Sequence, residues 1–326
     1  MATIKKSAVA QFEAAVDAII TGDLTALTRL LEGNSKLVRM RSPRKHHATL
    51  LHYVGANGVE GYRQKTPPNA VKVAQVLVNA GSEIDAMADM YGGATTLGLV
   101  ATSVHPVVAG VQNQLMTALL KYGADMNYPE AAGNRHSIVN GCLANGRPRA
   151  AEFLARRGAH LDLEAAAGIG RVEVVQNFFD RKGRLKKPAT LFQMKSGFNW
   201  ACAYGRTQVV EFLLHCGIDT TERHRGETGL HWAAYGGHLP IVKLLLKWPA
   251  PLEVKDERWG NTPVGWALYG WANPSLEFRR PRHPEVVAQL VAAGATVDPR
   301  WRRKLQSDPR MRTALRGKKL TWSQRR

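Results

Sequence analysis

Residues Gly226–Asp256 read GETGLHWAAYGGHLPIVKLLLKWPAPLEVKD, and this stretch decides the fold. Thr228 and His231 stand at the entrance of a first apolar helix, which carries the Ala233–Ala234 pair. Gly236 and Gly237 close it, where a residue without Cβ can take the positive φ of an inter-helix turn. His238 leads into a second helix with Ile241, Val242, Leu244, Leu245 and Leu246 on its apolar face.

The same frame recurs on both sides. In Ser196–Gly217 (SGFNWACAYGRTQVVEFLLHCG), Trp200 and Gly205 lie 32 residues before Trp232 and Gly237. In Asn261–Gly270 (NTPVGWALYG), Thr262, Trp266 and Tyr269 lie 34 residues after Thr228, Trp232 and Tyr235. Asn140–Asp162 and Glu164–Phe179 supply two further helix pairs. Ala48–Gly58 with Val73–Asp85, and Thr95–Val104 with Leu115–Asn127, supply two more. Gly146, Gly170, Gly205 and Gly237 all fall at the inter-helix turn. A fixed spacing of this size implies a stacked array, since one unit cannot bury its apolar face alone.

These units resemble the ankyrin repeat, through the T-x-L-H opening at Thr228–His231, the alanine pair and the Gly237–His238 turn. The resemblance implies an all-α solenoid of stacked antiparallel helix pairs with hairpin-like loops. Residues 1–47 are expected to form an N-terminal capping helix pair, because Phe12–Gly33 has the helix rhythm without the T-x-L-H entry. Residues 48–298 are expected to hold about seven repeats, and residues 299–326 a basic C-terminal cap and tail. In the family, the Thr and His tie a helix entrance to its own turn and to the next repeat. His52 keeps that histidine, Asn140 and Asn199 replace it, and Gly98 and Gly265 omit it.

The resemblance further implies a non-catalytic scaffold that binds a protein partner through a concave groove of loop tips and inner helices; Gln11, Glu13 and Asp17 break the N-terminal apolar run, so the chain is expected to be cytoplasmic. Tyr235 and Tyr269 on the inner helices are its candidate contacts, with Tyr91, His224, Arg225, Glu227, Arg258, Trp259 and Asn261 at the loop tips. No cofactor or metal is implied, and the chain is expected to act as a monomer. Trp200, Trp232 and Trp266 share one position and are read as packing between repeats; the competing reading is an aromatic binding stripe. Arg147, Arg171, Arg206 and His238 follow successive turns and are read as solvated.

Three connections depart from the pattern. Gly58 to Val73 and Trp271 to Val286 each span 15 residues where Gly237 to Ile241 spans 4, and Val104 to Leu115 spans 11. Prolines 67, 68, 106, 274, 281 and 284 punctuate them. Long loops of this kind are often functional.

Composition bounds the remaining classes. The net charge is +19, and residues 299–326 carry eleven Lys/Arg against one acid. A basic tail of that kind supports an alternative in which the chain docks on nucleic acid or an acidic membrane, with steep salt dependence. Three cysteines, Cys142, Cys202 and Cys216, form no C-x-x-C pair and suit a reducing compartment. Cys202 falls in a helix-packing slot and reads as a small buried hydrophobe. There is no H-E-x-x-H, no G-x-S-x-G and no zinc-spaced Cys/His set, so the sequence offers no catalytic constellation.

Overall fold

The inner helix of each pair begins where a hydroxyl or carboxylate precedes it and can accept the orphan N–H groups of the first turn. Thr95 accepts from the Gly98 amide at 3.2 Å, Ser137 from Asn140 at 3.2 Å, and Asp162 from Ala165 at 2.7 Å. Four of the inner helices end at the marker glycines, with φ of +69° at Gly146, +85° at Gly170, +76° at Gly205 and +67° at Gly237. The computed structural model describes residues 2–56, 58–128, 137–275, 277, 281–305 and 307–317. They fall in two compact units, Met1–His160 and Leu161–Arg326.

The first unit opens with α1 (Ala2–Thr21) and α2 (Leu24–Gly33). Three repeat pairs follow. A 3-10 helix, Leu50–Gly55, pairs with α3 (Ala70–Asn79). Then α4 (Thr96–Thr102) is linked by the short α5 (His105–Val108) to α6 (Gln112–Lys121), and α7 (Ile138–Ala144) pairs with α8 (Pro148–Ala155).

The second unit holds four pairs: α9 (Leu163–Ile169) with α10 (Val172–Gln176), and α11 (Leu191–Ala203) with α12 (Thr207–His215). Next come α13 (Gly229–Tyr235) with α14 (Leu239–Leu245), and α15 (Pro263–Ala272) with α16 (His283–Ala292). Two short helices, α17 (Pro299–Lys304) and α18 (Pro309–Ala314), close it and bury Leu305, Met311 and Leu315. Residues 318–326 of the basic tail lie outside the described residues. Ile241 and Leu245 are in the buried core and Leu244 packs against it. Among the described residues, extended pairing is confined to isolated bridges, such as Ala88 with Ala94 and His224 with Glu227.

The first long connection is tied down. Arg63, only 3% exposed, reaches back to α1 and pairs with Glu13 at 2.7 Å and Asp17 at 3.1 Å. It also pairs with Glu60 at 3.1 Å, which accepts the Tyr53 hydroxyl at 2.6 Å. A guanidinium removed from water needs such partners, so this loop is part of the packing of its unit. The second connection is closed by Gln112, whose side-chain amide donates to the carbonyls of Val100 and Ala101 at 3.1 Å each. Of the third, residues 276 and 278–280 lie outside the described set. Its far end is fixed by the Arg282 amide, which donates to Gly237 O at 2.9 Å.

Candidate functional site

The T-x-L-H residues form a relay. The Thr228 amide donates to His231 Nδ1 at 3.2 Å, which leaves the proton on Nε2. That N–H donates to Asn261 O, 3.1 Å away in the next repeat. Thr49 and His52 repeat the arrangement, with Nε2 donating to Ala94 O at 3.1 Å. Asn199, in the histidine position of α11, sends its side-chain amide to His224 O at 3.4 Å.

A second relay runs the other way. His238 Nε2 lies 2.8 Å from Ala203 O, His283 Nε2 lies 2.8 Å from Tyr235 O, and Arg206 Nε donates to Gly168 O at 3.0 Å. Each reaches a carbonyl near the end of the preceding inner helix, one of the groups such a helix leaves unpaired. This corrects the reading of Arg206 and His238 as solvated turn residues: they are inter-repeat ties. Burial lowers the pKa of His238 to about 4. Arg171 remains exposed at its turn, as expected.

The relays fix α13 and α15 side by side, and the aromatic residues of both helices meet. Trp200 and Trp232 have ring centroids 5.7 Å apart, and Trp232 and Trp266 are 5.0 Å apart at 77°. The ladder of tryptophans is therefore a packing element. Trp266 is 7% exposed, and the Trp200 indole N–H donates to the buried Glu164 carboxylate at 2.8 Å. One turn further along each helix, Tyr235 and Tyr269 stack at 6.3 Å.

Asp256 builds the loop above them. Its Oδ1 accepts from the amides of Arg258 at 3.0 Å and Trp259 at 2.6 Å. Its Oδ2 accepts from the Asn261 amide at 2.8 Å and the Trp266 indole at 3.0 Å. Burial opposes the charge, yet these four donors hold the carboxyl below its ordinary range. The loop holds Trp259, 59% exposed, at 5.9 Å from the Trp266 ring.

The result is a slot of about 360 Å³ lined by Trp232, Tyr235, Trp259, Asn261, Trp266 and Tyr269. Four of the residues expected at the groove, Tyr235, Trp259, Asn261 and Tyr269, thus come together. Trp232 and Trp266, read from sequence as packing, are also its walls. Arg258 stands beside the slot with its guanidinium 4.7 Å from the Trp259 centroid. His224 and Arg225 form a separate patch on the exposed Phe192, at 4.9 Å and 5.1 Å. Glu227 has its pKa pushed up to about 7 by burial and by the neighbouring Asp256 and Glu257. Tyr91 stands exposed in the 88–94 hairpin of the first unit, with φ of +55°. Cys202 is fully buried, and burial raises its thiol pKa, as suits a packing residue and not a nucleophile. Among the described residues no helix is long and apolar enough to cross a membrane.

Residues 198–300, which contain the slot, match the family model of ankyrin repeats in three copies. These residues are ankyrin repeats. Ankyrin repeats form protein-interaction scaffolds in general, and the fold is typically non-catalytic. The chain is similar to E3 ubiquitin-protein ligase Ufd4 of Drosophila melanogaster, with 35% identity over 101 residues, 31% of this chain and 3% of that protein. It is similar to E3 ubiquitin-protein ligase hecd-1 of Caenorhabditis elegans, with 39% identity over 126 residues, 37% of this chain and 4% of that protein. It therefore spans only a few hundredths of the length of these relatives. Among solved structures, the ankyrin repeat domain of Bcl-3, a member of the IkappaB family, is 20% identical with a TM-score of 0.37. That match covers 78% of this chain and 92% of the other.

Proposed function

We propose that this ankyrin-repeat chain is a cytoplasmic scaffold that holds a protein partner in the aromatic slot of its second unit. The observation that carries the reading is the slot itself. Trp259 and Tyr269 are 59% and 53% exposed on its rim, over a floor of Trp232 and Trp266. Large rigid aromatics with Arg beside them supply contact area at small entropic cost, which is why they dominate binding hot spots. The free cysteines Cys142 and Cys202 are buried and Cys216 is half-buried, which suits a reducing compartment.

The test is selection of peptides from a displayed library on the intact protein, followed by titration against tryptophan fluorescence. Selected peptides should perturb the slot tryptophans, and Trp259→Ala or Tyr269→Ala should weaken them at least tenfold. Full affinity in both variants would place binding elsewhere and end the reading.

A further inference from the structure

The slot has a shape that favours one kind of chemical group. Three of its rings stand mutually near perpendicular: Trp232 to Trp266 at 77°, Tyr235 to Trp266 at 80° and Trp232 to Tyr235 at 83°. Tyr269 lies 25° from parallel to Tyr235, and Trp259 closes over Trp266 at 63°. Parallel ridges would suit a flat or extended apolar chain. Rings set at right angles form the corner of a box, which surrounds a compact, roughly spherical group.

The electrostatics of that box are those of aromatic faces, which are electron-rich and attract cations. Asp256 adds to this from behind: its carboxylate takes the Trp266 indole N–H at 3.0 Å and stays ionised. Among the described residues no charged side chain lines the slot. Arg258, lying 4.7 Å from the Trp259 centroid, is a cation already held by one of these rings.

The polar groups then select among cations. A lysine ammonium has three N–H donors and an arginine guanidinium five, and each donor buried without an acceptor is costly. Among the described residues of the lining, Asn261 is the only amide side chain. A trimethylammonium group carries the charge and has no N–H to satisfy. Beyond the box the exposed rim of Trp259 and Tyr269 leaves an apolar wall along which an alkyl stem can lie.

We infer that the slot of Trp232, Tyr235, Trp259, Trp266 and Tyr269 receives a trimethylated lysine side chain of a protein partner. The inference rests on the slot being the partner-binding surface. It commits to a protein source because the open rim admits a chain running past, where a free metabolite would be more fully enclosed.

The experiment titrates the full chain with acetyl-trimethyllysine methylamide, followed by NMR of the indole N–H groups and by calorimetry. The same amide with unmodified lysine, its neutral carbon isostere bearing a tert-butyl group, and choline serve as comparisons. The trimethylated probe should bind at least tenfold tighter than the lysine and neutral forms, and tighter than choline. Trp259→Ala and Tyr269→Ala, both at exposed sites, should abolish the preference while circular dichroism stays native. Equal binding of the neutral isostere would reduce the slot to an apolar pocket and overturn the inference, as would no binding at all. Tighter choline binding would overturn the protein source. If these probes fail while selected peptides still depend on Trp259, the partner surface stands and only the methyl-lysine inference falls.

Discussion

The imidazole of His231 and the carbonyl of Asn261 are 3.1 Å apart across the boundary between two repeats. Asn261 is also a wall of the aromatic slot. The residue that marks the repeat in the sequence therefore holds one side of the candidate site in place.

Acid should weaken the fold through its buried histidines. Burial lowers His52 to about 4, against about 6.5 in an unfolded chain. The folded form is neutral where the unfolded form binds a proton. This stability is complete above about pH 6.5, declines as pH falls toward 4, and levels off below that, since the folded pKa lies under the unfolded one. His52 alone should contribute on the order of 3 kcal/mol at the lower limit. Urea midpoints measured from pH 7 to 4 should fall over that window, and less steeply in His52→Asn. A flat profile would mean that these rings are not buried neutral.

Arg63→Ala should cost the first unit about 1.5–3 kcal/mol, because the charged hydrogen bonds of Arg63 are lost while Arg44 still pairs with both Glu13 and Glu60. Arg63 and Glu60 are almost fully buried, so solvent cannot take over. Arg63→Lys should recover only part, since one ammonium cannot replace a fork that reaches Glu13, Asp17 and Glu60. Chemical denaturation checks both. A change below about 0.5 kcal/mol in the alanine variant would show that the loop is not anchored by this network.

Leu245→Ala should cost about 2–5 kcal/mol through the cavity it leaves. Leu245 is 1% exposed within the core of the second unit. A thermal transition that barely moves would remove it from that core.

Asp256→Ala should cost about 2–4 kcal/mol, since a charged acceptor of four hydrogen bonds is lost. It should also free Trp259 and the Trp266 indole, shifting tryptophan emission to the red. Unchanged emission would show that the loop holds its shape without the carboxylate.

The helix pairs were legible because Thr228, His231, Gly237 and their counterparts sit at fixed offsets and perform local tasks, capping and turning. The same regularity located Tyr235 and Tyr269 one turn beyond the tryptophans. The rest of the site depended on partners far along the chain. Glu164 takes the indole of Trp200 from 36 residues away, and His283 meets Tyr235 O from 48 away. Neither residue has a sequence spacing that announces its bond. Arg206 looked like any surface base after a turn until its guanidinium was placed on Gly168 O. Trp232 and Trp266 satisfied a packing explanation fully, and nothing in their spacing shows that both rings also line an open slot.

Helix α13 is gripped at both extremities: His231 fastens its start to Asn261, and His283 fastens its finish through Tyr235 O. A rod pinned at two points cannot swivel about its long axis. The indole and phenol it carries are consequently held at fixed angles to the rings of the next repeat. For the partner proposed above, association would then demand little conformational entropy from this helix, and the temperature dependence of binding should report the guest's desolvation and not a rearrangement of its host.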